Sequence, residues 1–307
     1  MMEFKGAYTA LITPMQNDGE LDWEGWRNLI RFQIEEGIDG LVPLGTTGEN
    51  PTLGEDEEDK LLDIMFDEID NTKAPGGKHV QVIIGTGSND TKHAVAYTRR
   101  AKMAGADACL VVTPYYNKPN DSGLLRHFEE VAHVGLPVVV YNIAGRTGRN
   151  IPTPLMEKIA EIPGVIGVKE ASGDVNQMAD VIYKIAMPKR KAGKDFWVLS
   201  GDDGLTLPLM ALGGDGVISV VSNLTPKRVK ALVDACEGGR WDEARAMHYE
   251  LLPLVKAAFI ETNPTPIKKA MSLAGLPGGP ARLPLGPIST GSEAVLKKAM
   301  ADLGFKL

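Results

Sequence analysis

Gly164-Val165-Ile166-Gly167-Val168-Lys169-Glu170-Ala171-Ser172 is an apolar, β-branched run that closes on a lysine. It reads as a strand buried on both faces, as in a parallel sheet. A lysine at its end has no structural task, whereas the other lysines read as lying on polar helical faces, in turns or at segment edges. Burying an ammonium is costly unless it is paired or neutralised, and burial lowers its pKa. A lysine with a lowered pKa can attack a ketone to form an imine. The plain structural alternative is a core-edge lysine held by Glu170 or another carboxylate.

Working outward, short apolar runs alternate with amphipathic stretches along the chain of 307 residues. Strands are expected at 7–13, 40–44, 80–85, 108–113, 137–142, 165–169, 196–200 and 216–221. Helical periodicity occupies 23–36, 55–69, 91–104, 123–134, 153–162, 175–186 and 205–212, and an eighth stretch, 226–236, follows the last strand. Eight β-then-α units spaced by roughly 29 residues predict a (β/α)8 TIM barrel. A doubly wound open sheet is the competitor, but its Gly-x-Gly-x-x-Gly after the first strand is absent. Beyond Gly238-Gly239 the pattern is all-helical, at 242–259, 266–274 and 293–304. The expected division is a catalytic barrel over 1–239 and a small C-terminal helical domain over 240–307. The stretch 188–195, with four basic residues, reads as a longer loop before the seventh strand.

Composition excludes several classes. The net charge of −7 argues against a nucleic-acid surface. Two cysteines, Cys109 and Cys236, make neither a disulfide framework nor a metal knuckle. Met1-Met2-Glu3-Phe4-Lys5-Gly6 lacks the basic start and apolar run of a signal peptide, and no segment has the length of a membrane span, so a cytoplasmic protein is expected. The five histidines include no His-Glu-x-x-His, which sets aside a zinc-dependent aldolase. No Gly-x-Ser-x-Gly elbow suggests a serine hydrolase. Asp202-Asp203 reads as a helix cap before it reads as a metal site, and no metal is expected.

Barrel active sites lie at the carboxyl ends of the strands. Thr46, Thr47, Tyr115, Tyr116, Tyr141, Arg146, Lys169 and Gly201 all fall there. In Gly45-Thr46-Thr47-Gly48-Glu49, paired glycines bring backbone N–H groups and two hydroxyls into a compact nest suited to a small carboxylate. The structural alternative is a turn in which Thr47 caps the next helix. Tyr115 and Tyr116 are the kind of adjacent loop tyrosines that pack or form interfaces. The Tyr141 phenol is placed to shuttle protons, and Arg146, in a glycine-bearing loop, to clamp a carboxylate, although taken singly such an arginine is more often a surface ion-pair partner.

Gly-Thr-Thr-Gly-Glu (45–49), Thr-Pro-Tyr-Tyr-Asn-Lys-Pro (113–119), Tyr-Asn-x-x-x-Arg-Thr-Gly (141–148) and Gly-Val-Lys-Glu-Ala-Ser-Gly-Asp (167–174) occur in that order. Together they resemble the dihydrodipicolinate synthase / N-acetylneuraminate lyase superfamily of pyruvate-dependent class I aldolases. The resemblance extends to Ser-Gly-Asp-Asp (200–203), Gly-Val-Ile-Ser-Val (216–220) and Asn-Pro-Thr-Pro-Ile-Lys (263–268). Arg146 in its Arg-Thr-Gly setting marks the synthase branch, which condenses pyruvate with L-aspartate-4-semialdehyde to 4-hydroxy-tetrahydrodipicolinate on the diaminopimelate route to lysine. The resemblance implies that Lys169 carries pyruvate as an imine and that Tyr141 relays protons with Thr46 and with Tyr116 of a neighbouring subunit. Thr47 would hold the pyruvate carboxylate and Arg146 that of the semialdehyde, while backbone carbonyls of Gly201 and Ile218 would face the site. No cofactor beyond the imine is implied, and the assembly would be a homodimer or homotetramer. Ala144 stands where the family usually has a proline, and Asn50-Pro51 replaces a small pair. The alternative within the superfamily is a 2-keto-3-deoxy-sugar-acid or 4-hydroxy-2-oxoglutarate aldolase, which shares Lys169, Tyr141, Thr46 and Thr47 but gives Arg146 no semialdehyde carboxylate. A catalytically silent binding barrel is the reading from another class.

Overall fold

The β-branched runs become strands because they are buried on both faces and leave the ladder as the outlet for their backbone groups. Residues 3–307 are described in the computed structural model; Met1 and Met2, part of the segment read for a leader, lie outside them. The strands are β1 (Gly6–Ala10), β2 (Gly40–Val42), β3 (Gln81–Gly85), β4 (Ala108–Val112), β5 (Val138–Asn142), β6 (Val165–Glu170), β7 (Trp197–Ser200) and β8 (Gly216–Ser219). They pair in sequence order as a closed parallel barrel with helices between them, as the eightfold alternation predicts. Three helices end the chain: Trp241–Ala258, Thr265–Leu273 and Thr290–Asp302. Among the described residues no helix is long and apolar enough to cross a membrane.

The residues fall into two compact units. One comprises Gln81–Ile218 with the N-terminal residues up to Gly6; the other comprises Ala7–Val80 and Ser219–Leu307. In each, an aspartate just ahead of a strand ties down its neighbour. The Oδ2 atoms of Asp107 and Asp215 accept the amides of Val82 and Val198, both at 2.7 Å, and in the second unit Asp39 accepts that of Ala7 at 2.7 Å. These carboxylates satisfy backbone donors at the amino ends of β1, β3 and β7, the face of this fold that serves stability.

Strand ends differ from the expected ones by up to three residues. β1 stops at Ala10, and β2 stops at Val42 because Pro43 lacks an amide donor and Leu44 turns to φ 56°. β8 gives way to a 3-10 turn, Val221–Asn223. The larger correction is at 188–195, which is not a long loop. The helix after β6 runs Val175–Val181, widens through π-helical Ile182–Ala186 and continues as Met187–Lys191. The Met187 amide bonds the carbonyl of Ile182, five residues back, and this wider turn accommodates Pro188 without ending the helix. Two of the four basic residues there have structural partners. Arg190 donates to the Gly213 carbonyl at 3.0 Å and pairs with Asp215, and Lys189 pairs with Glu161 at 2.9 Å.

Candidate functional site

The carboxyl ends of β5, β6 and β7 build the first cluster. Lys169 and Tyr141 are register partners, each one residue short of its strand's end, and Leu199 of β7 lies opposite Lys169 on the other side. The Lys169 side chain is buried (5% exposed), with Nζ 4.2 Å from the centroid of the Tyr141 ring. Burial drives its pKa from 10.5 down to about 7; the Asp203 charge opposes this and that of Arg146 adds to it. Burial also pushes the Tyr141 phenol above its usual range, so it is protonated near neutrality.

Glu170 does not hold the lysine. Successive side chains of a strand point to opposite faces, and the Glu170 carboxylate accepts from Asn142 Nδ2 at 3.1 Å, Gln177 Nε2 at 3.2 Å and the Ser172 amide at 2.8 Å. The same network anchors the segment that carries Arg146. Asn142 Oδ1 accepts the Ile151 amide at 3.0 Å, Asn142 Nδ2 donates to Asn150 Oδ1 at 2.9 Å, and Gln177 Nε2 reaches the Ile151 carbonyl at 3.3 Å. Between these anchors, Ala144–Thr147 forms a helical turn that ends on Gly148 at φ 69°, with Arg146 exposed on it. The alanine at the family's proline position thus starts a hydrogen-bonded turn.

Gly201 follows β7, its amide bonded to the Glu170 carbonyl at 2.8 Å. A Cβ there would lie 2.7 Å from Ala171 Cβ and 3.0 Å from Lys169 Cε, so the lysine's path over this position requires glycine. Ile218 lies in β8 with its side chain buried. Asp202 accepts the Gly204 amide at 2.8 Å and caps the 3-10 turn Asp203–Leu205, the structural reading of that acidic pair. Among the described residues no group of three or more His, Cys, Asp or Glu side chains is placed to hold a metal. After β4, Tyr116 stands 90% exposed at φ 72°, a conformation that costs a non-glycine residue on the order of 1 kcal/mol and gathers at functional positions.

The second cluster lies in the other compact unit. Leu44 at φ 56° and Glu49 at φ 57° bracket Gly45-Thr46-Thr47-Gly48, whose turns close through the Gly48 amide on the Gly45 carbonyl (3.1 Å) and the Glu49 amide on the Thr46 carbonyl (3.2 Å). Thr47 caps no helix. The following 3-10 turn has Glu49 at its cap position with no side-chain bond, and the buried Thr47 hydroxyl accepts Asn263 Nδ2 at 3.0 Å. Glu49 pairs with Lys268 at 2.6 Å, both side chains 1% exposed, and its second oxygen accepts the Arg282 amide at 2.8 Å. Lys268 therefore overturns the expectation that Lys169 alone among the lysines is buried. It closes the Asn-Pro-Thr-Pro-Ile-Lys motif, but its counter-ion lies 219 residues away and nothing in the motif signals the pairing.

These features define a class: a parallel (β/α)8 barrel with a buried amine of depressed pKa beside a protonated phenol, groups fit for imine chemistry. Comparison with known proteins narrows it. The model of the Dihydrodipicolinate synthetase family matches residues 3–303, and the chain belongs to that family. A 4-hydroxy-tetrahydrodipicolinate synthase of Protochlamydia amoebophila is 48% identical over 303 residues, 98% of this chain and 97% of that one. The enzyme of the same name from Syntrophus aciditrophicus is 48% identical over 302 residues, 98% and 99% of the two chains. A solved structure described as the first monomeric dihydrodipicolinate synthase variant aligns with a TM-score of 0.92 at 40% identity, covering 99% of this chain and 98% of that chain.

Proposed function

We propose that the chain condenses pyruvate with L-aspartate-4-semialdehyde to 4-hydroxy-tetrahydrodipicolinate, with Lys169 as the amine that captures pyruvate. The observation that carries the reading is the buried, strand-borne Lys169, whose pKa of about 7 leaves a large share of free amine near neutrality. Its Nζ attacks the keto carbon, water leaves, and the protonated imine draws electrons from the methyl group so that a proton can depart. The resulting enamine adds to the aldehyde. The substrate's own amine then displaces Lys169 as the ring closes, and one water is lost overall.

Tyr141, held neutral by burial, carries protons as a phenol in a relay with Thr46 and with Tyr116 of a second subunit. Thr47 binds the pyruvate carboxylate, Arg146 binds the carboxylate of the semialdehyde, and the carbonyls of Gly201 and Ile218 line the site. Lys169 itself supplies the electron sink, so no cofactor is assigned. The working division remains a barrel over 1–239 and a helical appendage over 240–307. The sugar-acid and hydroxy-oxoglutarate aldolase alternatives are not favoured, because full-length relatives at 48% identity carry the synthase name. The test is a steady-state assay of pyruvate against several aldehydes. The semialdehyde is expected to give the highest kcat/KM; a higher value with glyceraldehyde or glyoxylate would move the chain to another aldolase activity.

The assembly proposed is a homo-oligomer, minimally a two-fold dimer, in which Tyr116 crosses into the partner's site. An exposed tyrosine in a strained backbone conformation supports it. Lys169→Ala and Tyr116→Phe variants, each inactive alone, are expected to recover activity when their subunits are mixed, since one site of the heterodimer then holds both native residues. Failure to recover despite demonstrated subunit exchange would remove Tyr116 from the neighbouring site.

A further inference from the structure

The Thr46-Thr47 turn is held from the far end of the chain. Asn263 Nδ2 donates to Thr47 Oγ1 at 3.0 Å, and two residues on, Glu49 is locked by the Lys268 ammonium at 2.6 Å and the Arg282 amide at 2.8 Å. Asn263 and Lys268 flank the start of the helix Thr265–Leu273, so the buried ion pair fixes that helix against the turn and brings Asn263 to Thr47.

A hydroxyl carries one proton and two lone pairs. With one lone pair taken by the Asn263 N–H, the Thr47 hydroxyl is biased to donate its proton elsewhere, which is what recognition of a carboxylate requires. The ion pair matters for the same reason. Glu49 sits in the left-handed region at φ 57°, a conformation that persists only where surrounding contacts over-determine it.

We propose that Asn263 is a positioning residue for the pyruvate carboxylate: it orients the Thr47 hydroxyl as a donor, with the Glu49–Lys268 pair as its mount, and so makes the C-terminal helical region part of the substrate-binding machinery. The proposal rests on the reading of Thr47 given above.

Three variants test it: Asn263→Ala, the isosteric Asn263→Asp, and Thr47→Val, alone and combined with Asn263→Ala. The readouts are the two KM values, kcat, and borohydride trapping at saturating pyruvate, which also reports folding. Loss of one neutral hydrogen bond predicts a pyruvate KM raised roughly three- to tenfold in Asn263→Ala, with kcat and the semialdehyde KM within about twofold of the parent. Asn263→Asp keeps the shape but offers an acceptor that takes the Thr47 proton, and adds a negative charge beside the carboxylate. Its pyruvate KM is expected to rise more than that of the alanine variant while kcat and the semialdehyde KM stay near the parent's, whereas a purely structural lesion would degrade all three together. In the Thr47→Val background, Asn263→Ala is expected to add less than about twofold. Equal penalties in both backgrounds, or a lowered kcat at unchanged pyruvate KM, would overturn the coupling while leaving Thr47 in place. An unchanged pyruvate KM in Thr47→Val would remove both the coupling and the reading of Thr47 beneath it.

Discussion

Lys169→Ala is expected to lose roughly a thousandfold or more of kcat/KM, because solvent cannot replace an amine held in position for attack. In the parent, borohydride reduction with pyruvate present should add one pyruvyl unit per chain, and peptide mapping should place it on Lys169. Lys268 is the informative control, since it is equally buried but engaged by Glu49. An adduct on any other lysine, or none, would sink the mechanism.

The pH dependence of trapping is a second signature. With a folded pKa of about 7, trapping should accelerate from pH 6 to 8 and then level off, whereas an ordinary lysine would go on gaining free amine beyond pH 10. The same shift has a stability consequence. Between pH 7 and 10.5 the unfolded lysine binds a proton that the folded one has released, so stability rises with pH across that window. Below pH 7 the penalty of burying Lys169 is present in full. Lys169→Met should therefore abolish activity yet stabilise the fold near neutrality by on the order of 2–4 kcal/mol. Thermal unfolding of parent and variant across pH 6–10 reads this as a difference that shrinks as pH rises.

Arg146→Ala is expected to spare pyruvate trapping and to damage condensation. A charge-assisted hydrogen bond to a carboxylate contributes on the order of 1.5–3 kcal/mol, or roughly ten- to over a hundredfold in the semialdehyde's specificity constant. The Asn142–Glu170–Gln177 network anchors the backbone of this segment through groups other than the guanidinium, and retained pyruvate trapping in the variant reports that the site is still folded. The Arg146 charge also contributes to depressing the Lys169 pKa, so its removal should move the pH midpoint of trapping upward. Equal weakening of both substrates would show that Arg146 is not the clamp for the second one.

What the chain declares by itself is whatever local periodicity can carry. Eight apolar runs alternating with eight amphipathic ones admit few foldings other than a parallel barrel, since both faces of such strands must be covered. The ends of those runs place most of the residues assigned here to catalysis: Lys169 and Tyr141 stand out as polar groups closing apolar strands, and the Gly-Thr-Thr-Gly-Glu turn as a cluster of donors. The tertiary structure alone decided what depends on distant partners. The π-helical turn before Pro188 follows from backbone register, and Arg190 finds Asp215 across 25 residues. Glu170, next to the lysine in sequence, turns away from it because a strand alternates its faces. Asn263 and Lys268 bound the Asn-Pro-Thr-Pro-Ile-Lys motif, but nothing in that motif names their partners, and folding brings them to Thr47 and Glu49, more than two hundred residues away. A buried charge is tolerated where its counter-ion is, and no local pattern records that address.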